Sequence, residues 1–276
     1  MSQDREIQPL VPREGWHVIH LFYHIDHGQW ALLSDEERRE AKTNLTELVG
    51  EIRATPDTHL LAFSVATPKA DLGFMLLTPD LQVANQYEKQ LTLSLGPDIL
   101  TPVYSYLSQT ESSEYTTTRE QYGEETLVAE KGLTPGSDEY QSALKEFDER
   151  MAHYLNHRLY PVLPDWPVIC FYPMSKRRSG ADNWYSLPFA ERKKLMAGHA
   201  RTGRTYSGRI LQLISGSTGL DEHEWGVTLL AKDTIDIKAI VYEMRFDEVS
   251  ARFGEFGDFY IGIQLPLDIL FRRLCL

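Results

Sequence analysis

Residues 166–217 read WPVICFYPMSKRRSGADNWYSLPFAERKKLMAGHARTGRTYSGRILQLISGS. Within it, VICFYPMSK (168–176) has the apolar, β-branched and aromatic content of a strand. The segment 188–200 carries a helical pattern that ends at His199, and 208–215 reads as a second strand. An earlier stretch has the same order. WHVIHLFYHI (16–25) reads as a strand, and SDEERREAKTNLTELVGEIR (34–53) reads as a helix. Ser34 followed by Glu37 is a capping box, and Leu45, Leu48, Val49 and Ile52 form an apolar stripe.

The two stretches belong to an internal repeat. Phe22-Tyr23 matches Phe171-Tyr172. Trp30-x-x-Leu33-x-x-x-Glu37-Arg38 matches Trp184-x-x-Leu187-x-x-x-Glu191-Arg192. Leu72-Gly73-x-x-Leu76-Leu77-x-x-Asp80 matches Trp225-Gly226-x-x-Leu229-Leu230-x-x-Asp233. Each half then runs strand, helix, strand, strand, helix, strand, which is the ferredoxin-like order. The expected fold class is α+β: two ferredoxin-like halves whose antiparallel sheets pack together as a dimeric α+β barrel. The halves are expected over 1–111 and 161–276. Between them, 112–136 reads as a long Ser/Thr/Glu/Gly-rich loop and 137–161 as a helix with Ser137 as N-cap. Polar residues differ between the copies: His199 falls opposite Leu45, and Lys176 opposite His27. A single site would therefore sit in the second half.

The chain has 276 residues, 42% of them hydrophobic, so it can bury a real core. A net charge of −12 argues against nucleic acid and anionic membrane as partners. No apolar run approaches the ~20 residues of a membrane-spanning helix. Residues 1–14 read as a polar arm without a secretory leader. Cys170 and Cys275 form no metal or redox spacing, and Cys170 reads as a buried thiol. Together these give a reducing, cytoplasmic setting as the expectation. The C-terminal LPLDILFRRLCL reads as a docked tail.

Several residue sets could carry chemistry. Tyr172, Met174 and Lys176 share one face of their strand, which also suits a half-exposed strand end with a snorkelling lysine. His199 shares the helix face of Leu195 and Met196, as a buried core histidine would; the glycine-punctuated RTGRTYSG (201–208) reads as a turn holding that helix end close to the next strand. Gln212 lies among Ile210 and Ile214, either bonded to nearby backbone or serving as a donor to a ligand. Asp247-Glu248-Val249-Ser250 opens a short helix whose free N–H groups suit a carboxylate, with Arg245 just before it. Arg158 closes the helix before Pro161. His17, His20, His24 and His27 divide between strand faces and read as a polar face rather than a metal set. His153 and His157 have a metal-compatible i, i+4 spacing without the glutamate of an HExxH motif.

The second half, from about Arg158 to Gly262, resembles the tyrosine-bearing coproheme decarboxylases of Gram-positive bacteria, within the chlorite dismutase superfamily. The motifs are RLYPVLPDWPVICFYPMSKRR, NWYSLPFAERKKLM-x-x-H, GR-x-Y-x-G, HEWGVTLLAKD and IVYEMRFDEVSARFGEFGDFYIG. The resemblance implies His199 as the proximal iron ligand, Tyr172 as the residue that becomes a radical, and Lys176 as the cation beside the reacting propionate. It implies that Arg158, Pro173, Met174, Ser175, Arg245 and Ser250, with Tyr172 and Lys176, hold the porphyrin, and that Gln212 lies on the distal face. The implied substrate is iron-coproporphyrin III, which also supplies the redox chemistry, with hydrogen peroxide as oxidant and haem b as product. A homopentamer is implied, as is transient contact with the upstream iron-inserting ferrochelatase.

Two positions depart from the family pattern. Ala200 follows the proximal histidine where glycine is usual, and His223 stands where relatives carry Trp. Chlorite dismutases proper place an arginine at Gln212. The alternatives are a chlorite-degrading or general haem peroxidase and a non-catalytic haem-binding protein.

Overall fold

The structure is a computed structural model that describes residues 8–276. Two units divide the chain. One holds the described residues up to Thr110 together with Leu163–Leu276, and the other is Glu111–Val162.

The first unit is built on nine strands. In chain order they are β1 (His17–Ile25), β2 (His59–Val65), β3 (Leu72–Thr78), β4 (Leu100–Thr110), β5 (Val168–Lys176), β6 (Ile210–Gly216), β7 (Trp225–Ala231), β8 (Gly254–Phe256) and β9 (Tyr260–Gln264). The first half orders its strands β4-β1-β3-β2, and the second β6-β7-β5-β9, with short β8 added on β5. All these pairs are antiparallel, the pairing of ferredoxin-like halves. The halves join edge to edge, β2 to β9 and β4 to β6, and so close eight strands into a barrel. Closure pairs edges that would otherwise be exposed.

Alternation along the strands gives two cores. One face points into the barrel and carries Phe22, Phe63, Tyr104, Tyr106, Phe171 and Tyr260. Phe22 stacks on Tyr260 at 4.1 Å and Tyr104 on Tyr260 at 5.4 Å. Phe22 opposes Tyr104, and Phe171 opposes Tyr260, across equivalent strand pairs. Gly226 makes room in this packing: a Cβ there would lie 2.8 Å from the Tyr106 ring. His20 belongs to the same interior. It is fully buried, stacks on Phe171 at 3.9 Å and bonds Thr228 Oγ1 through Nε2 at 2.8 Å. The polar strand face expected for the early histidines is corrected here. His20 faces a packed interior, and burial lowers its pKa to about 3, which keeps it neutral.

The other face packs on helices. In the first half these are α1 (His27–Leu32), α2 (Asp35–Ala54) and α3 (Leu81–Leu93). The Ser34–Glu37 capping box is formed, and Leu45, Val49 and Ile52 are buried. Residues 8–14 of the expected arm are irregular, and Leu10 exchanges bonds with Asp80 and Leu81 at the start of α3. The rest of that arm lies outside the described residues. The second unit contains α4 (Arg119–Gln121), continued by a wide helical winding over Tyr122–Glu130, and α5 (Asp138–Leu159). The long loop expected over 112–136 is therefore corrected in part. Thr118 and Gln121 form a capping box, Tyr122 stacks on Phe147 at 4.2 Å, and Arg119 bonds Asp148 at 3.0 Å. In the second half, α7 (Thr234–Met244) packs on the sheet through Ile237 and Ile240, and α6 (Phe189–Arg204) packs on α7. The tail forms α8 (Leu267–Arg273), whose Leu270 and Phe271 join the first half's core.

The repeat is visible but slipped. Tyr23 opposes Leu72 in the first half, whereas Trp225, the match of Leu72, opposes Met174 rather than Tyr172. Strand β5 has moved two residues along its partner. A two-residue slip preserves which face each side chain occupies. It draws Pro173 and Met174 into pairing with β7 and leaves only Ser175 and Lys176 past its end, where they pair with β8.

Candidate functional site

Tyr172 lies on the helix-facing side of β5, in one apolar cluster with Cys170, Val227, Leu229, Ile210, Tyr206 and Ile240. Its ring stacks on Phe259 at 4.3 Å and lies 5.9 Å from Phe256. Burial raises its pKa, with the charge of Cys170 adding to the shift and that of Arg245 opposing it. The phenol is therefore held neutral. The Arg245 guanidinium follows α7 and covers the Phe256 ring at 4.3 Å. Met174 packs against the same apolar cluster.

Lys176 is only 6% exposed. Its ammonium lies 5.3 Å from the Trp184 ring centroid, and its backbone N–H donates to the Glu224 carboxylate at 2.7 Å. Burial lowers the Lys176 pKa to about 8, and the charges of Asp247 and Glu224 partly offset that fall. A buried cation above an aromatic face is a suitable partner for a carboxylate brought in from outside.

His199 faces Asp247: Nδ1 lies 2.8 Å from Oδ2. A carboxylate only accepts, so Nδ1 carries the hydrogen and Nε2 keeps its lone pair. Burial lowers the His199 pKa; the bond to Asp247 and its charge pull the other way, and Lys176 adds to the lowering. Asp247 also accepts from the Ser250 backbone N–H at 3.3 Å, and Ser250 is buried. A neutral imidazole with one nitrogen tied to a carboxylate and the other free is the arrangement found behind metal-bound histidines. Among the described residues no group of three or more His, Cys, Asp or Glu could hold a bare ion. The donor set suits an iron that arrives already held by a porphyrin and needs one axial nitrogen. The cations Lys176 and Arg245 suit that porphyrin's carboxylates.

Gln212 donates from Nε2 to the Gly203 carbonyl at 2.9 Å. This corrects the expected course of α6. The helix does not end near His199 but continues to Arg204, and the missing side chain of Gly203 lets Gln212 and Met244 come close to it. Pro173 and Ser175 are not brought into the set. Alternation turns them to the opposite face of β5. There, Ser175 Oγ meets His223 Nδ1 at 3.3 Å and the Glu224 backbone N–H at 3.3 Å, and the Pro173 carbonyl accepts from Gly257 at 2.9 Å. Arg158 belongs to the second unit, in the last turn of α5, where Nε donates to the Glu111 carbonyl at 2.8 Å.

The profile of the chlorite dismutase family matches residues 38–265. The chain belongs to that family. Among solved structures, a haem-binding protein from Thermus thermophilus is 39% identical, with a TM-score of 0.78, over 99% of this chain and 100% of that one. A chlorite dismutase from Candidatus Nitrospira defluvii in complex with imidazole has a TM-score of 0.70 over 96% of this chain and 97% of that one. A variant of the same enzyme also has a TM-score of 0.70, over 96% and 98%. At 17% identity each, these two share the fold.

Four residues of the candidate site were not legible as site residues. Asp247 read only as a helix cap, and Trp184 only as part of the repeat. Glu224 and Phe259 carried no local signal. Trp184 was the most accessible of them, because its repeat partner Trp30 also carries a cation, Lys42 at 6.0 Å.

Proposed function

We propose that the chain is a hydrogen peroxide-dependent coproheme decarboxylase, converting two propionates of iron-coproporphyrin III to vinyl groups and giving haem b. The observation that carries this reading is the pairing of Tyr172 and Lys176 on one face of β5. An oxidisable phenol and a buried cation share that face, and the cation lies close enough for its charge to act on the Asp247-oriented His199. Family membership, the motif resemblance and the haem-binding relative support it.

In this reading His199 offers Nε2 to the iron, and Asp247 fixes its tautomer and strengthens it as a donor. The bound iron porphyrin supplies the redox chemistry with peroxide. Tyr172 gives up its phenolic hydrogen atom and takes one back from the propionate β-carbon. Lys176 pairs with the carboxylate of that propionate and orients it. Arg245 and the N–H groups around Ser250 hold other carboxylates, and Met174 packs against the ring edge. Arg158 joins them on the strength of the motif resemblance alone. Gln212 has a second amide hydrogen with which to reach a distal ligand. Apolar walls around Tyr172 exclude water from the radical. For each propionate, one peroxide and one proton are consumed, and one carbon dioxide and two waters leave. The homopentamer, the contact with ferrochelatase and a cytoplasmic setting belong to the same proposal.

The test is to load the protein with iron-coproporphyrin III, add peroxide stepwise and follow pigment mass. Two successive losses, each of one carbon dioxide and two hydrogens, are expected. Tyr172→Phe keeps the ring stack and should bind the pigment without turning it over. A second reading, a haem-binding protein without catalysis, follows the description of the Thermus relative. It predicts an unchanged pigment mass in the unsubstituted protein.

A further inference from the structure

The second unit carries a feature that the proposed reaction does not use. His153 and His157 stand one turn apart near the C-terminal end of α5, both exposed. Their rings converge, with centroids 4.4 Å apart, and their Nε2 atoms face each other at 3.2 Å. Metal–imidazole bonds of about 2.0–2.1 Å at a tetrahedral angle place two nitrogens ~3.3 Å apart. The two imidazoles therefore already hold the bite of a chelate.

We propose that His153 and His157 form a binding site for one divalent first-row transition ion, coordinated through the two Nε2 atoms with water in the remaining positions. Imidazole pairs suit copper, nickel and zinc, and Cu²⁺ should bind most tightly of the three. Two features of α5 favour a cation there. The helix C-terminus contributes partial negative charge within its last turn, where His157 lies. Exposure of both rings leaves room for the ion's waters. Without metal, the same geometry is an imidazole–imidazole hydrogen bond, which costs little to replace because solvent reaches both rings. An ion bridging positions i and i+4 would lock the last turn of α5, which also carries Arg158.

The experiment uses the full chain without pigment and titrates Cu²⁺ and Zn²⁺ into the unsubstituted protein, His153→Asn, His157→Asn and the double variant. Far-UV circular dichroism first checks that each is folded. The unsubstituted protein should take up one Cu²⁺ equivalent more than any variant. The electron paramagnetic resonance spectrum of that equivalent should show coordination by two nitrogens. Each single substitution should abolish it. A gain in melting temperature on adding Zn²⁺ should appear only when both histidines are present. Acidification should release the ion, because the ligating imidazoles must be neutral. Equal copper stoichiometry and affinity in the unsubstituted protein and the double variant would overturn the proposal. So would loss of the equivalent in only one of the single variants, since a chelate needs both rings.

Discussion

The imidazole of His199 and the carboxylate of Asp247 meet at 2.8 Å, although 48 residues separate them in the chain. One atom of Asp247 serves two purposes: Oδ2 fixes the histidine and accepts from the Ser250 backbone N–H. Asp247→Asn removes the charge while leaving the shape. The expected result is a weaker axial bond, with pigment affinity lower by about 10–100-fold, the usual cost of losing such a partner. The reduction potential of the bound iron should rise, because the imidazole becomes a poorer donor. Spectroscopic titration and potentiometry check both.

Lys176 should make pigment binding proton-linked. Its pKa is about 8 in the pigment-free protein, with burial as the main cause. A propionate placed beside it favours the charged form and raises that value. Above about pH 8, binding should therefore take up a proton. Calorimetry in buffers of different ionisation enthalpy measures this uptake. Lys176→Gln should abolish it and weaken binding.

Gly203→Ala offers a test of Gln212. The new Cβ would lie 3.3 Å from both Gln212 amide atoms and from Met244 Cε. These are the far ends of flexible side chains and can yield. Alanine also gains up to ~1 kcal/mol in helix propensity over glycine. Stability should hold or rise slightly, whereas Gln212 should move. Thermal melting combined with peroxide-dependent turnover separates the two effects: a small gain in melting temperature with altered turnover is the expected pair.

The barrel interior should set part of the acid sensitivity. The His20 pKa falls from 6.5 to about 3 on folding, so the unfolded chain binds more protons between those values. Stability from this residue is complete above about pH 6.5 and is lost as pH falls toward about 3. His17, His59 and His199 are lowered in the same direction by burial. His20→Gln removes one titrating group. Urea unfolding should show a shallower loss of stability below about pH 6 in this variant than in the unsubstituted protein.

Much of this architecture could be read from local pattern. The Ser34–Glu37 box, the parity of Tyr172 with Lys176 and the duplicated Trp-x-x-Leu corner depend on neighbours in sequence, and each formed as expected. Both corners close alike, Leu33 N–H on Trp30 and Leu187 N–H on Trp184. What escaped depends on contacts across the fold. Gly203 read as a helix breaker, yet the absence of its side chain is what lets Gln212 and Met244 approach the helix. Tyr122 and Leu127 are five apart, a spacing that matches neither an ordinary helix nor a strand. The partnership of Asp247 with His199 exists only once α6 and the segment after α7 are brought together. The motif resemblance implies Ser175 as a porphyrin-holding residue, and alternation along β5 turns its hydroxyl to the face of His223.

The two-residue slip of β5 has an evolutionary meaning. A sliding strand that moves by an even number of residues keeps its buried face, so neither core has to be redesigned. What changes is the reach of the ladder: Pro173 and Met174 now pair with β7, and Lys176, paired with β8, comes two residues nearer to the end of β7. A duplicated scaffold can thus re-aim the end of one strand by translation along an existing hydrogen-bond ladder, while both halves keep the barrel closed.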